Sequence, residues 1–127
     1  DAVKFVILTL QKAKGGEIFV PKIPSYRIMD LANAFGKKIK KKIVGIRPGE
    51  KLHEELISSS ESFNTFEYKD YYIVLPTSFN NKIYNIRYKF YKPKNKVKKN
   101  FSYTSKNNQK FLSQEKLKKI INLYLSK

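Results

Sequence analysis

The stretch Ile43-Val44-Gly45-Ile46-Arg47-Pro48-Gly49-Glu50-Lys51-Leu52-His53-Glu54-Glu55 places one arginine and several ionisable side chains at a corner of the chain. An apolar, largely β-branched run ends in Pro-Gly, and a charged amphipathic segment follows. The pattern predicts a strand over residues 40–46, a tight corner, and a helix over residues 50–57 with Leu52, Leu56 and Ile57 on its apolar side. A corner of that kind presents a guanidinium fork beside a helix N-terminus, and both devices favour a phosphate group. Arg47 stands out further because Arg27 and Arg87 are the only other arginines in a lysine-dominated chain. A plain strand, turn and helix with charges on the wet face satisfies the same pattern, and a helix-start carboxylate at Glu50 suits the macrodipole.

The flanking sequence extends this into an α/β organisation. Residues 2–12 carry Val3, Val6, Ile7 and Leu10 at helical spacing, and Gly15-Gly16 stops the helix. A short strand is expected over 17–20. Ser25 then caps a helix through Phe35, with Ile28, Leu31, Ala32 and Phe35 on one face. Residues 65–75 read as β-structure, rich in Phe66, Tyr68, Tyr71, Tyr72, Ile73 and Val74 and ended by Pro76. Residues 80–100 read as an insertion or extended hairpin. Ser113 caps a last helix bearing Leu117, Ile120, Ile121, Leu123 and Tyr124. The expected division is a lobe over 1–79, a Lys/Tyr-rich insertion over 80–100, and a C-terminal segment and helix of the same lobe over 101–127.

Composition narrows the function classes. The 127 residues suffice for one domain with a modest core. Cysteine is absent, so there is no disulfide framework and no thiolate metal site. His53 is the single histidine, which excludes multi-histidine metal sites and leaves no supported Ser-His pair. No apolar run is long enough to span a bilayer. The formal net charge of +17 is the main argument for another function, because Lys82, Arg87, Lys89, Lys92, Lys94, Lys96, Lys98 and Lys99 are interleaved with Tyr84, Tyr88, Phe90, Tyr91 and Phe101. A basic stripe with stacking surfaces is what single-stranded nucleic acid requires. The bias is nevertheless to Lys rather than Arg, amid many Asn, Ile, Tyr and Phe, and Lys is the weaker choice for bidentate or stacked recognition. A solvated, compositionally drifted insertion is the reading preferred here.

Four blocks stand together with the arginine motif. Gly15-Gly16-Glu17-Ile18-Phe19-Val20-Pro21-Lys22-Ile23-Pro24-Ser25 lies upstream. Asp70-Tyr71-Tyr72-Ile73-Val74-Leu75-Pro76, Tyr103-Thr104-Ser105-Lys106-Asn107-Asn108 and Phe111-Leu112 lie downstream. In this order and spacing the chain resembles the C-terminal part of the inverting UDP-N-acetylglucosamine 4,6-dehydratases. These are extended short-chain dehydrogenases/reductases of bacterial surface-polysaccharide and flagellin-sugar biosynthesis, and related UDP-sugar epimerases share similar blocks. The resemblance runs from Asp1 to Pro76, resumes at Phe101, and fails between about Asn80 and Asn100.

The resemblance implies a small mixed substrate-binding lobe whose Rossmann domain is missing from this chain. Family members carry a glycine-rich dinucleotide loop and a Tyr-x-x-x-Lys pair in that N-terminal domain. The five glycines here, at 15, 16, 36, 45 and 49, form neither G-x-G-x-x-G nor G-x-x-G-x-x-G. Asp1 at the start, in place of Met, reads as a cut through a longer protein. Tyr88 and Lys92 do have the Tyr-x-x-x-Lys spacing, but Pro93 follows and nine tyrosines among many lysines produce that spacing by chance.

The complete enzyme, on this resemblance, is a cytoplasmic homo-oligomer. It uses bound NAD(P) to oxidise the sugar at C4, eliminates water across C5 and C6, and returns the hydride at C6 with inversion at C5. This lobe would bind no cofactor and hold no catalytic residue; it would bind the UDP-sugar. Arg47 is the diphosphate contact by its match to the family's R-P-G-E-K motif, Glu50 is the candidate for a ribose hydroxyl, Lys22 adds charge near the nucleotide, and His53 is a supporting or surface residue. Three classes stay open: dehydratase lobe, epimerase lobe, and basic nucleic-acid-binding module.

Overall fold

The computed structural model describes residues 2–36, 38–76, 81–91 and 95–126, with the backbone alone at 81–84 and 87. The chain divides into two compact units, each assembled from two separate stretches of sequence: residues 1–22 with 55–103, and residues 23–54 with 104–127.

The first unit is organised on the strand Tyr71–Val74, β4 in chain order after β1 (Ile18–Pro21), β2 (Glu55–Ile57) and β3 (Thr65–Glu67), with β5 (Asn95–Lys96) beyond β3. The sheet order is β1-β4-β3-β5 and every pairing is antiparallel, with Phe19 opposite Ile73, Phe66 opposite Ile73, and Phe66 opposite Lys96. Thr65–Leu75 is therefore a hairpin rather than one strand, closed by the Tyr68 N–H donating to the Tyr71 carbonyl at 2.9 Å.

Side chains alternate along a strand, so β4 feeds two cores. Tyr72 and Val74 join Val20, Ile57 and Tyr103 on one face, with Val97 and Phe101 packed against them. Tyr71, Ile73 and Leu75 join Phe66 on the other, beneath Phe5 and Leu8 of helix α1 (Ala2–Lys12). The face of α1 that packs is thus not the one its periodicity picks out, since Val3, Val6, Ile7 and Leu10 are all exposed.

The expected hairpin over 80–100 is instead a helix, α2 (Asn81–Tyr91), followed by the short β5. Tyrosines three positions apart explain it, because each finds an aromatic partner on the sheet. Tyr88 meets Phe66 edge-on with centroids 5.4 Å apart, and Tyr91 meets Phe19 at 6.1 Å. Tyr91 also reaches the Lys12 carbonyl oxygen with its hydroxyl, at 3.1 Å, and its own carbonyl accepts from the Tyr68 hydroxyl at 3.0 Å. Lys92, Pro93 and Lys94 lie outside the described residues.

In the second unit, helix α3 (Ile28–Phe35) packs on the C-terminal helix α4 (Gln114–Leu125), burying Ala34 and Leu117. Ser113 caps α4 as expected, accepting from the Lys116 N–H. Ser25 does not cap α3. Its N–H and carbonyl are committed to Lys110 and Leu112, each at 2.8 Å, in a bridge opposite Phe111, and the helix starts three residues beyond, at Ile28.

The sharpest departure is at residues 40–57. Neither the strand over 40–46 nor the helix over 50–57 forms: residues 40–46 have no regular structure, and Glu55–Ile57 is β2, paired with β6 (Tyr103–Thr104). Complete burial of Ile57 in the first core overrides the helical spacing of Leu52, Leu56 and Ile57. Leu52 and Leu56 are exposed.

Between β2 and β3 a 3-10 helix, Ser59–Asn64, begins with a reciprocal capping box. The Ser58 N–H donates to Glu61 Oε2 at 2.8 Å, and the Ser58 hydroxyl donates to the same atom at 2.6 Å. These bonds hold the Glu61 carboxyl below the usual carboxylate range. A carboxyl whose folded pKa is depressed adds stability above its unfolded pKa, and that contribution disappears as pH falls through the folded value. Glu61→Ala should therefore melt lower than the parent chain at neutral pH, with the gap closing below about pH 4. Melting curves across pH 7 to 3 measure this; a gap independent of pH would contradict it.

Candidate functional site

Arg47 is carried by a turn and not by a strand end. Pro48 and Gly49 occupy its two central positions, Gly49 takes φ +86, and the Glu50 N–H closes the turn on the Arg47 carbonyl at 3.0 Å. This is the combination of a type II turn, in which proline presets the first central φ and glycine accepts the positive second one. A Cβ at residue 49 would meet open space, so glycine is needed for its φ alone.

Glu50 turns back onto the arginine. The Arg47 N–H donates to Glu50 Oε2 at 3.0 Å, and Glu50 Oε1 lies 3.7 Å from Arg47 Nε. The arginine side chain remains 77% exposed and the glutamate 52%. Without a helix over 50–57 there is no helix N-terminus beside Arg47, and the helix-start reading of Glu50 falls with it. What remains is an exposed guanidinium on a turn, facing the Glu50 carboxylate.

The chain leaving this turn is tied down at Ser105. The Glu54 N–H donates to Ser105 Oγ at 3.1 Å, the Ser105 N–H donates to the Glu54 carbonyl at 2.8 Å, and His53 Nδ1 lies 3.3 Å from the same hydroxyl. Asn107 and Thr104 fold the adjoining loop on itself, with the Thr104 N–H donating to Asn107 Oδ1 at 2.9 Å. Asn108 donates from Nδ2 to the Ile23 carbonyl and the Ser25 hydroxyl, at 2.8 and 2.9 Å. Ser105 and Asn108 are the residues that sequence reasoning missed. The Thr-Ser-Lys-Asn-Asn composition marks a turn with side chains able to bond the main chain, but it does not say which main chain.

Lys22 belongs to the other unit. Its Nζ lies 2.6 Å from Glu67 Oε1 and 4.8 Å from the centroid of the Tyr72 ring, and its side chain is only 16% exposed. Burial, followed by the charge of Glu67 and the neighbouring Tyr103, pushes the Tyr72 hydroxyl above its ordinary range. The structure thus brings Arg47 and Glu50 together and gives Lys22 a partner of its own.

The usual dinucleotide cradle runs from a parallel strand through a glycine turn into a helix. Here Gly15-Gly16, at φ 102 and 87, follows α1 and leads into an antiparallel strand, the reverse order. Among the described residues no group of three or more His, Cys, Asp or Glu could hold a metal ion. No helix among them is long and apolar enough to cross a membrane.

The fold is a mixed helix-and-sheet lobe of the short-chain dehydrogenase/reductase type. Residues 1–76 match the profile of the family described as polysaccharide biosynthesis protein, and the chain belongs to that family. The inverting UDP-N-acetylglucosamine 4,6-dehydratase of Campylobacter jejuni is 46% identical over 124 residues, covering 96% of this chain and 37% of that protein. A UDP-glucose 4-epimerase of Rickettsia akari is 33% identical over 125 residues, covering 95% of this chain and 36% of its own. Among solved structures, one described as Pen from Bacillus thuringiensis superposes with a TM-score of 0.70 at 30% identity, over 98% of this chain and 34% of that one. The chain thus spans a little over a third of the length of the curated relatives it matches, and the resemblance carried by its sequence blocks is to the dehydratases among them.

The Lys22–Glu67 pair links the end of β1 to β3 across β4. In a double-mutant cycle of Lys22→Met and Glu67→Gln read by chemical denaturation, a coupling of about 0.5–1 kcal/mol is expected, kept modest by the exposure of Glu67. No coupling would mean that the pair adds nothing to the sheet.

Proposed function

We propose that this chain is the UDP-sugar-binding lobe of an NAD(P)-dependent UDP-N-acetylglucosamine 4,6-dehydratase, with Arg47 contacting the diphosphate. The carrying observation is the guanidinium of Arg47, held on a tight turn yet 77% exposed, in a chain 46% identical to a dehydratase of that name. A charged fork that is positioned but not consumed by its own fold is suited to a bidentate contact with phosphate oxygens. Binding energy on this remote part of the substrate fixes where the sugar ring lies. Lys22 has a subordinate part in this reading, since its ammonium is already paired with Glu67. NAD(P), held by the Rossmann domain of the complete enzyme, supplies hydride transfer, and this chain supplies binding and orientation.

The exposed apolar residues support a partner domain. Val3, Val6, Ile7 and Leu10 form one uncovered helix face, and Ile43, Val44 and Ile46 form an uncovered run in which Ile43 is 92% exposed. Patches of this kind mark interaction surfaces, and the reading assigns them to the Rossmann domain. The epimerase relative favours a second reading, the same lobe serving a UDP-sugar epimerase.

In a complete enzyme carrying this lobe, Arg47→Ala should weaken UDP and UDP-N-acetylglucosamine together by about ten- to a hundredfold, because the diphosphate is common to both. Arg47→Lys should recover part of the loss, since an ammonium keeps the charge but not the fork. Calorimetric titration with UDP, beside a melting curve for each variant, decides it: unchanged affinity in a folded Arg47→Ala protein removes Arg47 from the site. The 127-residue chain alone, supplied with NAD(P) and UDP-N-acetylglucosamine, should form no 4-keto-6-deoxy product. Detection of that product by mass spectrometry would overturn the division of labour.

A further inference from the structure

We infer that helix α2 is a latched cover on the sheet: a bond from the Tyr91 hydroxyl to the Glu17 carboxylate fastens it, and breaking that bond lets the helix lift while the sheet beneath stays folded. The inference concerns the first unit alone and does not depend on the reading of Arg47.

The helix is fastened rather than embedded. None of its described side chains is buried: Ile86, Tyr88 and Phe90 are exposed, and Tyr91 is half-buried. It lies beyond residues 1–76, the part of the chain that matches the family profile. It meets the sheet through ring edges, Tyr88 on Phe66 and Tyr91 on Phe19. An element with few buried contacts opens at the low end of the stability range. Specific bonds then determine whether such a helix stays in place.

Those bonds converge on the corner between α1 and β1. The Tyr91 hydroxyl lies 2.5 Å from Glu17 Oε1 and 3.1 Å from the Lys12 carbonyl oxygen. The same Oε1 accepts from the N–H groups of Lys14 and Gly15, the latter at 3.1 Å. Burial alone would raise the Glu17 carboxyl, but the bonds from Tyr91 and from main-chain N–H groups outweigh it and hold the group below the usual carboxylate range. The phenol therefore donates to a charge, and such a bond is roughly twice as strong as one between neutral groups. Two further ties flank it. Lys14 Nζ lies 4.4 Å from the centre of the Phe90 ring, and the Tyr68 hydroxyl donates to the Tyr91 carbonyl at 3.0 Å. Beneath α2, the core of Phe66, Tyr71, Ile73 and Leu75 is also covered by Phe5 and Leu8 of α1, so the sheet keeps a packed face when α2 lifts.

The test is hydrogen exchange read by mass spectrometry in a complete enzyme carrying this lobe, on the parent, Tyr91→Phe, Glu17→Gln and the double variant. Tyr91→Phe keeps the ring on Phe19 and removes only the hydroxyl. Glu17→Gln keeps an acceptor for the Lys14 and Gly15 N–H groups and removes the charge. Tyr91→Phe should speed exchange of the amides of residues 81–91 about ten- to a hundredfold, with those of residues 71–74 unchanged. Glu17→Gln should speed it less, and the double variant should match Tyr91→Phe alone. Unchanged exchange in Tyr91→Phe would overturn the inference. Equal acceleration over residues 71–74 would overturn it too, since helix and sheet would then open as one. So would a further acceleration by Glu17→Gln in the Tyr91→Phe background, because the carboxylate would be acting apart from the phenol. If Glu17→Gln does not fold, Tyr68→Phe replaces it: losing a bond between neutral groups, it should release α2 less than Tyr91→Phe does, and the reverse order would contradict the latch.

Discussion

Burial of β4 on both faces is the constraint from which the first unit follows. Tyr71, Tyr72, Ile73 and Val74 are all buried, so a strand of four residues needs cover above and below. One face recruits Ile57 and Tyr103, from positions far apart in sequence, and the other recruits α1 and α2. The aromatic residues carry much of this contact: Tyr72 lies 5.3 Å from both Phe101 and Tyr103, and Tyr71 stacks on Tyr68 at 5.0 Å. With so little aliphatic mass available, ring-on-ring packing supplies area and geometry together.

The elements legible in the sequence are those whose pattern and partners agree locally. Residues 2–12 are helical because Ala2–Lys12 lacks glycine and proline and ends before a glycine pair. Gln114–Leu125 is helical because Ser113 provides its cap and Leu117 its anchor. Residues 40–57 misled because their periodicity is real but does not decide their structure. Ile57 is claimed by a distant core, and the β-branched run before Arg47 finds no strand to pair with among the described residues. A strand is a property of two segments, and one segment read alone does not reveal whether its neighbour is in the same chain. Residues 81–91 misled for the opposite reason, since strand-favouring tyrosines are accommodated in a helix once their rings have aromatic partners.

The candidate site was legible as chemistry more than as geometry. Arg-Pro-Gly-Glu announces a tight turn, and the turn is there with the φ that glycine permits. The expected helix N-terminus is absent beside Arg47, and local hydrogen bonds hold the main chain of the turn. This changes the character of the site. A helix terminus would attract an anion over a broad approach, whereas an exposed guanidinium on a turn offers only its own planar fork.

Each unit is stitched from an early and a late stretch of chain, and this bears on the order of events during synthesis. Helix α3 (28–35) emerges long before α4 (114–125), against which it packs, so Ala34 must wait in solvent while some eighty residues are added. The same holds for Val20, whose core is completed by Tyr103. Until those later residues are made, the nascent segment is an unfinished, cationic polymer whose apolar faces stand open. Charge and fold thus act at different stages: repulsion between like-charged chains keeps them apart while these faces still lack the partners that later residues supply.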